Sequence, residues 1–226
     1  MNTKRRGMKM IDNGYVFAKD NKRVFLNTSL RCDGKCSYCY LSKMHYVHKR
    51  KKTAEEIIKN LEESPIEINQ ETLITIGCFS ECLDEVNKRE TLYLVKYFLK
   101  RGNQVQLSTK KQILESDLVE IFPFLSYYGQ LVIYISSATI SKQNLIEPNT
   151  SPIQERFKSF ALAHVYPIPI VLYVKPVLQG ITIQDLSLYV HYIETYKIKE
   201  VVVGSLFTTN PSDESVPFSN KQELFY

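Results

Sequence analysis

Apolar positions along this chain follow two alternating rhythms. Short runs rich in aliphatic and β-branched residues at 23–29, 72–76, 105–108, 131–136, 168–174 and 200–203 each have the length of one buried strand. Between them apolar residues recur at helical spacing. Ala54, Ile57, Ile58 and Leu61 share a face behind a Thr53/Glu56 capping box, and Pro65 closes that segment. Leu92, Val95 and Leu99 share the face of a second helix, with Thr91 placed to cap it and Gly102 where a C-terminal cap belongs. A less regular helical pattern spans 113–121. Ser151 and Pro152 stand in cap-then-proline order before Phe157, Phe160 and Ala161, and 183–196 supplies the helix after the fifth strand.

Strand and helix thus alternate through six units, which predicts a parallel sheet with right-handed crossovers. Six units are too few to close an eight-stranded barrel. The predicted fold is α/β: a partial (β/α)6 TIM-like barrel, open on one side, built from residues 23–204. Residues 1–22 form an N-terminal segment in which 10–17 adds a strand that turns at Asp20-Asn21. Residues 205–226 form a C-terminal tail with turn residues, Phe207, Phe218, Phe225 and Tyr226, and no long helical pattern. In such folds functional groups gather at the C-terminal ends of the strands. The segments at those ends are the cysteine loop after 23–29, Gly77 to Glu81, Thr109-Lys110, Ser136-Ser137 and Lys175-Pro176.

Composition narrows the setting. No apolar run is long enough to cross a bilayer and the N-terminus has no apolar signal core, so the expectation is a cytoplasmic protein without a membrane partner. The net charge is +5, with basic runs at Lys4-Arg5-Arg6 and Lys49-Arg50-Lys51-Lys52. These suit a phosphate backbone, DNA or another nucleic acid, and equally a solvated loop. Nothing in the pattern specifies an oligomeric state.

Three of the five cysteines, Cys32, Cys36 and Cys39, crowd one short loop, as metal ligands do and a disulfide framework does not. A structural zinc site takes four protein ligands. An iron–sulfur cluster of the [4Fe-4S] type also usually takes four thiolates, so three would leave one iron open to a substrate or cofactor. Zinc completed by Cys78 or Cys82 is the alternative.

The segment Cys32-Asp-Gly-Lys-Cys36-Ser-Tyr-Cys39, directly after the first strand, resembles the signature of the radical S-adenosylmethionine (SAM) superfamily. That resemblance implies the partial barrel of the radical SAM type and a [4Fe-4S] cluster on the three cysteines, with SAM chelated at the open iron. An electron from a donor such as flavodoxin or ferredoxin would cleave SAM to a 5′-deoxyadenosyl radical that abstracts hydrogen from the substrate. Within the superfamily the chain is most similar to the spore photoproduct lyase, or DNA-repair-photolyase-like, family. The similarity lies in Tyr38-Cys39-Tyr40-Leu41, Cys78-Phe79-Ser80-Glu81, Leu107-Ser108-Thr109-Lys110, and Glu147-Pro148 followed by Arg156.

Carried over, the resemblance places Ser80 and Glu81 at the SAM amino group, Lys110 at its carboxylate, Ser136 or Ser137 at its ribose, and an aromatic at Tyr40 near its adenine, with Gly77 and Tyr38 as further cofactor-binding positions. Cys78 would return hydrogen to the substrate radical, with Tyr38 and Tyr40 closing the cycle. Each role has a structural competitor: a solvated Lys110, an inert Cys78, a Glu147–Arg156 ion pair, a packing role for Cys82, unengaged loop histidines at His45 and His48, and a structural His164. Glu81 stands where the lyases carry aspartate, and the chain is shorter than a full lyase, which must grip DNA and flip out a damaged dinucleotide. The implied substrate is a thymine lesion in DNA. The alternatives are a peptide or small metabolite, or a non-catalytic zinc or iron–sulfur protein that binds nucleic acid.

Overall fold

The computed structural model describes residues 8–11, 14–19, 22–43 and 50–205. Eight strands form one sheet in strict chain order: β1 (Met8–Ile11), β2 (Val16–Lys19), β3 (Arg23–Leu26), β4 (Leu73–Ile76), β5 (Val105–Thr109), β6 (Leu131–Ser136), β7 (Ile170–Val174) and β8 (Val201–Val203). The first three pair antiparallel, and β3 through β8 pair parallel. When each parallel strand is added on the same side of the last by a right-handed crossover, all helices fall on one face and the sheet curls toward a barrel. This is the partial, open barrel of six parallel strands that the alternation predicts.

Side chains alternate across the sheet as a two-residue repeat requires. Val24, Leu26, Ile74, Ile76, Val105, Leu107, Ile133 and Ile135 are buried against the helix layer. That layer comprises α1 (Ala54–Glu62), α2 (Lys88–Lys100), α3 (Glu115–Ile121), α4 (Gln143–Ile146), α5 (Ile153–Lys158) and α6 (Leu186–Tyr196). It contributes Phe98, Leu99, Leu118, Phe157 and Phe160 to the core. The intervening positions, among them Arg23, Phe25, Thr75, Gln106, Ser108, Tyr134 and Tyr173, are partly exposed on the concave face.

Several elements depart from the sequence expectation for identifiable reasons. The segment 10–17 is not one strand but parts of the hairpin β1–β2, whose second strand follows Gly14 at φ +107. Asp20 and Asn21 lie outside the described residues. Helix α2 begins at Lys88, three residues before Thr91, which is buried inside it. Asn87 precedes the helix without capping it, because its side chain is hydrogen-bonded to Thr28 and to the Glu81 carbonyl. Ser151 likewise does not cap α5: its hydroxyl accepts the Gln112 N–H at 3.0 Å. The helix after it ends at Lys158 and continues as a 3-10 turn, Ser159–His164, where His164 meets the Tyr196 carbonyl. The short α4 occupies a stretch for which the sequence predicts no helix. The tail beyond residue 205, His45 and His48 lie outside the described residues.

The Thr53 capping box forms as the sequence indicates. Thr53 Oγ1 accepts the Glu56 N–H at 3.2 Å, and Glu56 accepts the Thr53 N–H at 2.9 Å. Replacing Thr53 with alanine should lower unfolding stability by about 1 kcal/mol, read as a shift of the urea midpoint with unchanged slope.

Candidate active site

The chain stays buried past the end of β3, through Asn27, Thr28, Ser29 and Leu30. Asn27 is the first junction. Its side chain donates to the Gly14 carbonyl at 3.2 Å and accepts the Phe79 N–H at 2.8 Å, while its own N–H donates to the Tyr15 carbonyl at 2.8 Å. One residue therefore ties the hairpin, the end of β3 and the loop after β4 together. The cysteine loop then turns through Gly34 and Lys35, the latter in left-handed backbone at φ +50. Its outer edge docks on the segment after β6. Ser37 donates its N–H to the Ile146 carbonyl at 3.0 Å, and Asn149 donates to the carbonyls of Gly34 and Asp33 at 3.3 and 2.8 Å.

Cys32, Cys36 and Cys39 are all half-buried in this loop. Burial pushes the Cys32 thiol up, while backbone hydrogen bonds from Gly34 and Glu81 oppose it. Burial pushes Cys36 up to about 11 against the pull of Lys110, and the neighbouring thiols Cys32 and Cys39 add to the rise. The donor set suits a cluster. A Cβ on Gly34 would stand 3.3 Å from Cys32 Sγ and 3.7 Å from Cys36 Sγ, so the glycine spares these two sulfurs a tight neighbour. Ser80 Oγ is buried beside the loop without a hydrogen-bond partner among the described residues. Neither Cys78 nor Cys82 is drawn into a single-ion site with the three thiols: among the described residues no three His, Cys, Asp or Glu side chains converge that way. A cluster places its thiolates on separate irons and does not need such convergence.

The other predicted positions gather around the same mouth. Gly77 sits at φ +87, and a Cβ there would lie 2.6 Å from that of Cys82. Cys82 is fully buried beneath it, its thiol donating to the Ser108 carbonyl at 3.4 Å, a packing position. Cys78 is half-buried beside Tyr15, Phe17, Leu30 and Phe79, and burial pushes its thiol up to about 12. Tyr40 donates its hydroxyl to the Cys78 carbonyl at 2.5 Å, and burial with the nearby Cys78 and Cys39 thiols holds that phenol protonated.

Glu81 turns toward the end of β5. One oxygen accepts the Thr109 hydroxyl and, at 3.2 Å, the Leu83 N–H; the other accepts the Lys110 N–H at 2.8 Å. Lys110 is mostly covered rather than solvated, its ammonium 2.5 Å from Ser136 Oγ and 3.7 Å from Glu147. The two serines have different surroundings. Ser136 faces the lysine, whereas Ser137 is sealed into the helix layer, bonded to the Thr139 carbonyl and to Tyr189.

Glu147 proves central to this cluster. It is fully buried, and so is Arg156, whose guanidinium meets it at 2.8 Å. Arg156 also donates to the Ser136 and Ser151 carbonyls and to Thr150. The remaining Glu147 oxygen accepts the Tyr38 hydroxyl at 2.5 Å and the Ala138 N–H at 3.1 Å. Burial disfavours the Glu147 anion, but Lys110, Arg156 and the Arg156 and Tyr38 hydrogen bonds outweigh it and hold the carboxyl below its ordinary value. Burial and the same carboxylate push the Tyr38 phenol far up, so Tyr38 remains a donor.

Two parts of the sequence reading end elsewhere. In the second basic run Arg50 pairs with Glu56 while staying largely exposed, Lys51 approaches Glu90 at 3.6 Å and Lys52 lies over the Tyr15 ring, so part of this charge is engaged within the chain. The concave-face residues Tyr134, Tyr173 and Lys175 received no role from the sequence. The alternation of 170–175 would have placed Tyr173 and Lys175 on one face, but only the curl of the sheet turns that face toward the cysteine loop.

The model of the radical SAM superfamily matches residues 26–193, and the chain belongs to that superfamily. Among solved structures it is similar to SuiB of Streptococcus suis bound to S-adenosylmethionine, at 14% identity and a TM-score of 0.59, covering 84% of this chain and 41% of that one. It is similar as well to a cysteine-to-serine mutant of spore photoproduct lyase, at 16% identity and a TM-score of 0.60, covering 78% and 54%. A third likeness is a spore photoproduct lyase mutant with dinucleoside spore photoproduct, at 15% identity and a TM-score of 0.55, covering 84% and 60%. The chain thus spans about two-fifths to three-fifths of these structures. No curated protein matches the sequence significantly.

Removing one partner of a buried ion pair strands the other charge, so Arg156→Met should cost about 3–5 kcal/mol of stability, read by chemical denaturation. The double variant Arg156→Met/Glu147→Gln should recover part of that loss. Because the Glu147 value is lowered in the folded state, its contribution is present above the ordinary carboxyl value of 4.5 and fades as pH falls through the depressed one. Stability measured against pH should decline in that acidic window, and Glu147→Gln should flatten the decline.

Proposed function

We propose that this chain is a radical SAM enzyme that binds a [4Fe-4S] cluster through Cys32, Cys36 and Cys39 and acts by hydrogen abstraction in the manner of spore photoproduct lyase. The observation that carries the reading is the three-thiol loop drawn in around Gly34, with the Lys110 ammonium acting on Cys36 and the Ser80 hydroxyl unpartnered after β4. When bound, cluster and SAM supply a 5′-deoxyadenosyl radical that removes hydrogen from the substrate.

The chain's own residues do the positioning. Ser80 offers its free hydroxyl to the SAM amino group, and Glu81, next to it, adds a carboxylate that suits an ammonium. Lys110 would meet the SAM carboxylate, and Ser136, bonded to that lysine, would take the ribose rather than Ser137, whose hydroxyl is engaged by the Thr139 carbonyl. Gly77 lets the loop after β4 approach closely. Tyr38 and Tyr40 shield the loop with protonated hydroxyls anchored to Glu147 and the Cys78 carbonyl.

Cys78 suits hydrogen return to a substrate radical. Its thiol is held as S–H across the neutral range because burial raises it to about 12. A hydrogen-atom donor must keep its hydrogen until the radical arrives, so a raised value favours that role over nucleophilic chemistry. The reductant is an electron donor such as flavodoxin or ferredoxin, and the substrate is a thymine lesion in DNA. A second reading, modification of a peptide, draws support from the similarity to SuiB bound to precursor peptide SuiA, with a TM-score of 0.57. For location, no helix among the described residues is long and apolar enough to cross a membrane.

The test is anaerobic. The protein is reconstituted with iron and sulfide, reduced and given SAM, and 5′-deoxyadenosine is followed by chromatography. Its release, slow alone and faster with spore-photoproduct DNA, is the expected result; failure to assemble a four-iron cluster would return the three thiols to zinc. Cys36→Ala should abolish cluster absorbance. Cys78→Ala should still yield 5′-deoxyadenosine but divert the product or trap an adduct, and an unchanged product would remove Cys78 from the mechanism.

A further inference from the structure

Lys175 follows β7 at the same mouth and continues its inward face. Its ammonium lies 5.7 Å from the centre of the Tyr173 ring, and Tyr173 in turn packs at 5.4 Å against Tyr134. The stem is confined on its other side: a Cβ at Gly204 would come within 2.9 Å of Lys175 Cδ, so the glycine makes room for the lysine chain. The ammonium has neither hydrogen bond nor ion pair among the described residues, and half-burial alone lowers its affinity for the proton. A buried cation without a counter-charge is costly to keep unless something else supplies one. Tyr173 itself feels the charges of Lys110, Cys78 and Arg23, so the ring beneath this lysine belongs to the same interior as the proposed hydrogen donor.

The surroundings select among anions. The sheet carries further aromatic surface on β3, with Phe25 stacked on Phe17 at 4.4 Å and the Arg23 guanidinium 5.9 Å from the Phe25 ring. Among the described residues no inward position of strands β3 to β7 is acidic. Flat π surfaces beside cations that lie over rings, on strands whose inward positions carry no carboxylate, match a ligand that joins planar bases to a phosphate. We infer that Lys175 is the specificity-determining residue that receives a phosphodiester of a nucleotide substrate on the concave face, with the bases against the Tyr134–Tyr173 wall. This deepens the reading above and rests on it, since it names the group by which a nucleic-acid substrate is held near Cys78.

The probe is thymidylyl-thymidine, which carries one phosphodiester, compared with its neutral methylphosphonate analogue. Equilibrium dialysis with the full chain, cluster-loaded and with SAM, should show the charged probe binding more tightly than the neutral one. Lys175→Met, which keeps the stem, should weaken the charged probe about tenfold or more and erase the discrimination, the expected size for one charge-assisted contact. Lys175→Arg should restore it. In the unsubstituted protein, trace acetylation read by mass spectrometry should find Lys175 protected by the charged probe and not by the neutral one. Equal binding of both probes, or loss of both alike in Lys175→Met, overturns the proposal. Protection by an acidic peptide but not by the dinucleotide overturns it in favour of a peptide substrate. Release of 5′-deoxyadenosine by the unsubstituted protein is measured in parallel: its absence counts against the SAM reading, whereas lost phosphate discrimination counts against Lys175 alone.

Discussion

The mouth of this barrel depends on one buried carboxylate. Glu147 has no solvent, yet it accepts from Arg156, Tyr38 and the Ala138 backbone and stands near Lys110. A lone carboxylate so placed would take up a proton, and two cations prevent that. What the charge achieves is geometric. Tyr38 belongs to the cysteine loop, Ala138 to the end of β6, Arg156 to α5 and Lys110 to the end of β5, so a single group fixes four segments that share little sequence proximity. Apolar packing would hold such segments together, but it is non-directional; hydrogen bonds to one carboxylate also fix their orientation.

Around that centre a second layer of polar side chains makes the strand ends agree. Asn27 aligns β3 with the hairpin and the loop after β4, and Glu81 aligns that loop with β5. These contacts explain why residues that are natural cap formers do not cap. Asn87 and Ser151 are drawn into loop-to-loop bonds, and helices α2 and α5 begin without side-chain caps. Tertiary satisfaction of buried groups outweighs a local cap, which is typically worth about 1 kcal/mol.

Much of the architecture was legible because it rests on periodicity. The six parallel strands and the face of α1 follow from repeats of two and of about 3.6 residues. The site was legible in kind, through the cysteine spacing and its place after β3. What escaped was whatever depends on two distant segments meeting. Glu147 and Arg156 were visible as a pair, but not as the junction that also engages Tyr38 and Lys110. Ser136 and Ser137 were indistinguishable until the pleat assigned one to each face. Tyr173 carried no motif, and Lys175 was visible only as a strand-end residue at the mouth, without the ring it lies against. The division of 10–17 between β1 and β2 stayed hidden because a short apolar run reads the same in one strand or two.

The cysteine loop is fastened at its outer edge by bonds that do not pass through its sulfurs. Ser37 and Asn149 fasten it to the segment after β6 through backbone carbonyls, and Tyr38 is tied down independently. In a zinc finger, by contrast, the metal supplies the folding energy and the ligands scatter without it. Here contacts between distant polypeptide segments share that task, so the spacing of the three thiols answers to residues outside the loop. A substitution at Asn149 would reach Cys32 and Cys36 through the carbonyls of Asp33 and Gly34, from the far side of three intervening strands.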